Sequence, residues 1–254
     1  MEITSTTNNL IKQIAKLKLK KYRDEFNEFL IEGFKAIEGA KNSDIIFKHV
    51  FVLSKSINKY EFLKTELTIV SEDVMKKLSS TDTPPDAIAI GEQKRYNIDI
   101  LKTCKNVALL ENIKDTGNLG TIIRSAAAFS IDAIILYGET VDLYNPKVVR
   151  STVGNMWKVP VIQINNIEIL KKYFNDYSRI ATLPKNEDTI YLKDFSPQNK
   201  SLIMLGAEAE GLSSELINFS NEKVTIEMSN SVESLNLSVS ASIIFYEFMI
   251  KKSS

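Results

Sequence analysis

From about residue 100 onward, short apolar segments alternate with helical segments, and this alternation limits the folds open to the chain. Several of the apolar segments are continuous runs, which is typical of strands buried on both faces of a sheet. Such alternation predicts an α/β fold with a mostly parallel, doubly wound sheet. The predicted strands are Val107–Glu111, Ala133–Tyr137, Val159–Ile164, Arg179–Leu183, Leu202–Leu205 and Lys223–Ile226, and the predicted helices are Thr121–Ser130, Pro146–Asn155, Ile167–Tyr177, Ser213–Phe219 and Asn236–Lys251.

The first part of the chain has a different pattern and is predicted to form a smaller α/β domain of its own. It begins with a basic helix over residues 4–22, followed by short strands and helices up to about residue 90. We therefore divide the chain into a domain at 1–95, a linker at 96–104 and a larger domain at 105–254.

Composition excludes several classes of chemistry. His49 and Cys104 are the only histidine and the only cysteine, so a His/Cys zinc site, an iron–sulfur cluster and a Ser-His-Asp mechanism are not expected. The chain contains neither a P-loop nor a nicotinamide fingerprint. It has no apolar run long enough to span a bilayer and no signal-peptide pattern, which predicts a cytoplasmic protein without membrane or metal partners.

One segment near the N-terminus is strongly basic although the chain as a whole is balanced, with 32 basic and 32 acidic residues. Between Lys12 and Arg23 there are six basic residues and no acid. Helical spacing would bring Lys12, Lys16, Lys20 and Arg23 near one face. This face is either an ordinary solvated surface or an arm that contacts RNA phosphates.

Three strand-to-loop junctions carry the polar residues that suggest a ligand site. They lie at residues 112–127, 205–212 and 226–240, and each joins a short apolar strand to a loop of small or polar residues. In doubly wound sheets, ligands bind beyond the carboxyl ends of the strands. We therefore expect the three loops to meet at one edge of the sheet.

The residues of these junctions resemble the three motifs of the SpoU/TrmH class of the SPOUT methyltransferases. The resemblance covers roughly residues 105–250, and its specificity comes from three motifs in the right order and spacing. The first motif is matched by Asn118 and Arg124, the second by Gly206, Glu208 and Gly211, and the third by Ile226, Met228, Ser234, Leu235, Asn236 and Ser238.

This resemblance implies transfer of a methyl group from S-adenosylmethionine to a ribose 2′-hydroxyl of RNA, without a metal. It also implies an α/β domain with a deep trefoil knot, and a homodimer. Residues 29–33 and 78–84 resemble a ribosomal-protein-like substrate-binding domain, which favours ribosomal RNA, and the large subunit in particular, as the partner. The residues implied to bind the cofactor are Thr182, Leu183, Leu205, Gly206, Gly211, Ile226, Met228 and Leu235.

The resemblance also implies the catalytic residues, and general chemistry limits what each can do. Arg124 is implied at the 2′-hydroxyl, where a guanidinium that stays protonated suits stabilisation of the developing alkoxide better than proton abstraction. Asn118 is implied to hold Arg124 or a ribose oxygen from a Gly-rich turn, and Glu208 to accept a hydrogen bond from Arg124 or substrate. Ser234 and Asn236 are implied to orient the arginine or the substrate, or else to cap the last helix.

Two departures and two alternatives stay open at this point. Glu227 and Asn230 replace the proline and glycine usual in the third motif, and Glu227 puts a charge beside the expected cofactor loop. The same reaction on transfer RNA, and a non-catalytic RNA-binding or ribosome-assembly factor, are alternative functions. Trp157 is predicted to pack in a core more readily than to stack on a base.

Overall fold

A computed structural model of the chain describes residues 2–208, 210–229, 231–232 and 234–253. Their contacts divide the chain into two compact units. The first unit consists of Met1–Lys94 together with Asp142–Lys158, and the second consists of Arg95–Val141 together with Val159–Ser254. No helix of the described residues is both long enough and apolar enough to cross a membrane.

From residue 100 onward the predicted helices and strands are found in the predicted order, with bounds that differ by up to five residues and with β10 added, whereas the first part of the chain has β1 and α4 in addition to the predicted elements. The strands are β1 Glu2–Ile3, β2 Glu28–Glu32, β3 Phe47–Leu53, β4 Thr68–Val70, β5 Ala87–Glu92, β6 Asn106–Glu111, β7 Ala133–Tyr137, β8 Val161–Gln163, β9 Ser178–Thr182, β10 Ile190–Tyr191, β11 Ser201–Leu205 and β12 Glu222–Thr225. The helices are α1 Asn9–Ala15, α2 Lys20–Phe26, α3 Phe34–Lys41, α4 Ile57–Tyr60, α5 Glu72–Leu78, α6 Thr116–Ala128, α7 Pro146–Ser151, α8 Ile167–Phe174, α9 Ser214–Phe219 and α10 Leu237–Ser253.

The second unit is built on a seven-stranded sheet in the order β10-β12-β9-β11-β6-β7-β8. Every strand pair recorded in it is parallel. The central strands β7 and β11 are buried along their whole length, as their continuous apolar sequences require. The predicted α/β class with a mostly parallel sheet is confirmed. The two-residue strand β10 is an addition that apolar runs could not predict.

Helix α6 begins earlier than predicted, at Thr116 instead of Thr121. The Asp115 carboxylate accepts a hydrogen bond from the main-chain N–H of Asn118 at 2.7 Å and so caps the helix. Asn118 therefore lies in the first turn of α6, and its predicted position in a Gly-rich turn is wrong.

The first unit has its own five-stranded mixed sheet, in the order β1-β4-β3-β5-β2. The single basic helix predicted for residues 4–22 is wrong. Helix α1 is followed by a 3-10 turn at Lys16–Lys18, and the backbone at Leu19 is extended before α2 starts. The hydrophobic periodicity continues through the break, so the pattern alone predicts one helix.

Residues 142–158 belong by their contacts to the first unit, whereas the sequence-based division placed them in the C-terminal domain. The ring centroids of Tyr144 and Trp157 lie 4.6 and 6.1 Å from that of Phe29 in β2. The backbones of Gly39 and Gly154 approach so closely that a Cβ on Gly39 would lie 2.1 Å from the Gly154 carbonyl oxygen. Trp157 is thus a packing residue, as predicted.

Candidate active site

The three predicted loops meet at the carboxyl ends of neighbouring strands. Strands β6 and β11 are hydrogen-bonded to each other, and β9 separates β11 from β12. The loops that follow β6, β11 and β12 therefore leave the sheet at the same edge. This edge is where doubly wound sheets bind ligands.

Glu208 is the centre of a hydrogen-bonded cluster that unites the three motifs. Its Oε1 accepts a hydrogen bond from Asn118 Nδ2 at 3.0 Å and from Asn236 Nδ2 at 2.7 Å. The same oxygen accepts the main-chain N–H of Leu237 at 3.0 Å. Asn236 Nδ2 also lies 2.9 Å from Asn118 Oδ1. We call Asn118, Glu208 and Asn236 the polar cluster; it joins three segments that are far apart in sequence.

Asn236 also caps the N-terminus of α10. Its Oδ1 accepts hydrogen bonds from the main-chain N–H of Ser238 at 2.9 Å and from the Ser238 hydroxyl at 2.6 Å. The amide oxygen thus fixes the helix start while the amide nitrogen holds Glu208 and Asn118. Capping, one of the two alternatives given from sequence for Asn236, is the role that these bonds show; orientation of the arginine or the substrate stays a prediction.

Arg124 lies on α6 outside the polar cluster. Its side chain is exposed, and it forms no hydrogen bond or ion pair with any residue that the structure describes. The predicted contacts from Asn118 and Glu208 to Arg124 are not formed, because both side chains are bonded within the cluster instead. A guanidinium with five free donors is available to a ligand from outside the chain.

A pocket of about 150 Å³ lies beside the polar cluster. Its walls are largely apolar and main chain, and Glu208 and Ser234 stand in its lining together with Leu237 at the start of α10. All of the residues predicted to bind the cofactor line this one pocket: Thr182, Leu183, Leu205, Gly206, Gly211, Ile226, Met228 and Leu235.

The turn between Gly206 and Gly211 forms a tight wall of the pocket. The main-chain N–H of Gly211 donates to the Ala207 carbonyl at 2.8 Å, and Gly211 has a positive φ of 67°. A Cβ added to Gly206 would lie 2.0 Å from the carbonyl carbon of Gly211. Only glycine at position 206 permits this approach of two main-chain segments.

Glu227 stands between two pocket residues, Ile226 and Met228, but its charge is compensated. Its carboxylate forms an ion pair with Lys193 at 2.5 Å, and both side chains are exposed. This hydrogen bond raises the pKa of Lys193. Glu227, the acid that departs from the motif, therefore pairs with a lysine on another segment of the chain. Asn230, the second departure from the motif, lies outside the described residues.

Glu111, at the end of β6, is a residue that the sequence interpretation missed. Its carboxylate is 4% exposed and accepts the main-chain N–H of Ser213 at 2.7 Å. Two residues after Ser213, the carboxylate of Glu215 accepts a hydrogen bond from the hydroxyl of Tyr137 at 2.6 Å. These bonds fasten the far end of the loop that carries Glu208. The signal in the sequence was an acid that ends a continuous apolar strand, because a buried carboxylate requires a specific partner.

The residues predicted to bind RNA divide into two groups. Lys12, Lys16 and Lys20 are exposed, although Lys20 is paired with Asp24 at 2.5 Å. Arg23 is only 2% exposed, and its guanidinium donates to Asp142 and to the main-chain carbonyls of Leu17 and Lys18. A buried guanidinium with these bonds does not face an RNA chain, so the prediction for Arg23 is corrected: it is a structural residue.

Within the described ranges, no group of three or more His, Cys, Asp or Glu side chains is placed to hold a metal ion. The polar cluster and the pocket are therefore the chemistry that this edge of the sheet offers. The cluster consists of one carboxylate and two amides beside an apolar pocket, and Arg124 lies on the same helix as Asn118.

Comparisons with known proteins identify the family of the chain. The SpoU rRNA Methylase family model matches residues 105–246, and the model of the MRM3-like substrate binding domain matches residues 8–89. A tRNA/rRNA methyltransferase of Synechocystis is 31% identical in sequence to this protein, and the alignment covers 96% of this chain and 92% of the relative's chain. The 23S rRNA (guanosine(2553)-2′-O)-methyltransferase RlmP of Bacillus subtilis is 29% identical, over 96% of this chain and 98% of its own.

A solved structure gives the same fold. The crystal structure of an AdoMet-bound rRNA methyltransferase from Sinorhizobium meliloti matches with a TM-score of 0.86 and 26% identity. The match covers 98% of this chain and 97% of that one. The resemblance first seen in three motifs extends to both units, and the chain belongs to the SpoU rRNA methylase family.

Proposed function

We propose that this protein transfers a methyl group from S-adenosylmethionine to a ribose 2′-hydroxyl of ribosomal RNA, in the large subunit. The observation that carries the proposal is the pocket itself. Its lining contains every residue implied to bind the cofactor, and Glu208 of the polar cluster stands in the same lining. The named activities of the Bacillus relative and the AdoMet-bound Sinorhizobium structure support the choice of reaction and cofactor.

The residues of the pocket fit S-adenosylmethionine. Leu183, Leu205 and Ile226 supply apolar surface for an adenine ring, and the close main-chain turn at Gly206 supplies backbone groups to the polar parts of the molecule. The bound cofactor would supply an activated methyl group. The chain's own part is to hold the two reacting groups in line.

A second pocket, of about 290 Å³, also borders the polar cluster, since Glu208 lines both pockets. Asn118, Glu208 and Leu237 line it, together with Asn112 and Lys114 of the loop after β6. We assign this pocket to the target nucleotide, because the polar cluster then stands between the two ligands. Asn118 and Asn236 would orient the ribose while Glu208 holds both amides in place.

Arg124 is assigned to the 2′-oxygen as an electrostatic stabiliser. Its guanidinium stays protonated and so lowers the energy of the alkoxide that develops as the methyl bond forms. Glu208 is a poor base in this arrangement because its Oε1 already accepts three hydrogen bonds. The hydroxyl proton would leave through an RNA phosphate or water.

We further propose the homodimer, the trefoil knot and the cytoplasmic location that the family implies. Helix α10 supports the dimer, because Val239 and Tyr246, two turns apart, are both exposed along it. Exposed apolar side chains at this spacing on one helix are typical of a surface that another subunit covers. The location follows from the substrate, since ribosomal RNA is the proposed partner.

The proposal is tested by methyl incorporation. The protein would be incubated with radiolabelled S-adenosylmethionine and, separately, with unmodified large-subunit RNA, small-subunit RNA and transfer RNA. We expect label in large-subunit RNA, mapped to a ribose 2′-oxygen. If only transfer RNA is labelled, the proposed substrate changes from ribosomal RNA to transfer RNA. No label in any RNA, together with no cofactor binding by calorimetry, would favour a non-catalytic RNA-binding factor.

Cofactor binding also gives a structural prediction. The Gly206→Ala variant should bind S-adenosylmethionine about 5- to 150-fold more weakly than the parent, because relief of a main-chain overlap costs about 1–3 kcal/mol. Calorimetric titration measures this effect. The matched control is Gly117→Ala, whose Cβ would meet only a side-chain oxygen of Asp115 at 3.1 Å. Unchanged affinity in Gly206→Ala would contradict the placement of the cofactor in this pocket.

A further inference from the structure

A basic and aromatic surface lies at the helix break of the first unit. The Lys16 and Lys21 ammonium groups lie 5.2 and 5.7 Å from the centroid of the Tyr22 ring. The Tyr22 ring is stacked on Phe26, with centroids 6.0 Å apart and planes inclined by 26°. We call Lys16, Lys18, Lys21 and Tyr22 the Tyr22 patch. Its lysines come from both sides of the break between α1 and α2.

Buried Arg23 holds the backbone of this break. Its guanidinium donates to the carbonyls of Leu17 at 2.7 Å and Lys18 at 2.8 Å, and to the Asp142 carboxylate at 2.9 Å. The extended residue Leu19 is left 60% exposed. The main chain beneath the patch is therefore held in place, so a ligand would not have to order it.

Positive charge at the patch is only partly compensated. Lys18 Nζ donates to the main-chain carbonyl of Lys77 at 2.8 Å, which brings a further lysine next to it. Burial lowers the pKa of Lys18, nearby Glu32 opposes this, and Lys77 adds to the lowering. The other acids of the segment are Glu25 and Asp24, and Asp24 pairs with Lys20. Like charges held together in this way favour a polyanionic partner.

We propose that the Tyr22 patch binds an unpaired segment of the RNA substrate, with a base stacked on the Tyr22 ring and the neighbouring phosphates held by Lys16, Lys18 and Lys21. An aromatic ring between cations is the arrangement that recognises single-stranded nucleic acid, since bases in a duplex are already stacked. The lysines that lie on the ring in the free protein would move to the phosphates. The inference rests on the proposed function and adds where, and in what form, RNA is bound.

The test measures binding of the full chain to a fluorescent single-stranded oligoadenylate of about 12 nucleotides, within the range of known single-strand sites. Tyr22→Leu should weaken binding about 5- to 150-fold, the range measured for loss of one stacked base, whereas Tyr22→Phe should stay within about twofold of the parent. The Lys16→Gln/Lys21→Gln variant should flatten the slope of log affinity against log salt by about 1.4, which is about 0.7 for each phosphate contact.

The matched control is Lys41→Gln/Lys64→Gln, which removes two other exposed lysines of the same unit and should leave both measurements unchanged. Equal affinity of the parent and Tyr22→Leu, or preference for a duplex of the same length, would overturn the proposal. Cofactor binding by each variant is measured in parallel and should equal that of the parent. If RNA binding depends on Tyr22 but no RNA is methylated, the proposed function is contradicted and the proposed RNA-binding role of the Tyr22 patch is retained.

Discussion

Alanine at position 124 should lower the rate of methyl transfer by about 10²–10³-fold, the usual effect of removing one donor that stabilises an oxyanion. Affinity for S-adenosylmethionine should stay within about twofold of the parent, because Arg124 does not line the pocket proposed for the cofactor. The exposed side chain makes no bond with the described residues that its loss could break. Single-turnover incorporation of labelled methyl, with calorimetry for the cofactor, measures both quantities.

The conservative variant Arg124→Lys separates charge from geometry. Lysine retains the positive charge but not the planar fork of donors, so it should recover only part of the rate. A rate for Arg124→Ala equal to that of the parent would remove Arg124 from the mechanism. Loss of cofactor binding in the same variant would move its role from the 2′-oxygen to the pocket.

Replacement of Arg23 by methionine should lower the free energy of unfolding of the first unit by about 3–5 kcal/mol. The Asp142 carboxylate, only 14% exposed, would lose its cationic partner, and the carbonyls of Leu17 and Lys18 would lose their donors. Removing one member of a buried ion pair leaves an uncompensated charge, and this is the source of the cost. Urea denaturation, followed by the fluorescence of Trp157 in the same unit, measures it.

A surface pair in the neighbouring turn provides the control. Lys20 and Asp24 are 62% and 49% exposed, so Lys20→Met should cost less than about 1 kcal/mol. The double variant Arg23→Met/Asp142→Asn should be less destabilised than the sum of its single variants, because the two side chains act as one pair. Equal costs for Arg23→Met and Lys20→Met would contradict the structural role of Arg23.

The repeating parts of the fold could be predicted from the sequence because their signals are local. Strand β7 has the bounds predicted, since a continuous apolar run of this length between turns is typical of a buried strand. The predicted start of helix α6 is five residues late because Gly117 and Gly120 disguise the cap at Asp115. Local patterns also miss the break at Leu19, where tertiary bonds from Arg23 outweigh helix periodicity.

The candidate site could be located from its motifs, but its bonds could not. The cofactor residues were expected together because parallel strands end at one edge of the sheet, and one pocket contains them. Glu208 was expected to accept a hydrogen bond from Arg124 or from the substrate, and in the structure Asn118 and Asn236 donate to it. The spacing of residues in the sequence does not predict which of several nearby donors forms a hydrogen bond with a carboxylate. The spacing also does not predict the partner of Glu111, which is Ser213, about a hundred residues further along the chain.

The discontinuity of the first unit bears on how the protein is made. Phe29 in β2 can complete its packing only when Tyr144 and Trp157 have been added to the chain. A ribosome must therefore translate through the first strands of the second unit before the first unit can close its core. A fragment that ends at residue 95 would leave that core incomplete, so transfer of the first unit to another protein requires residues 142–158 as well.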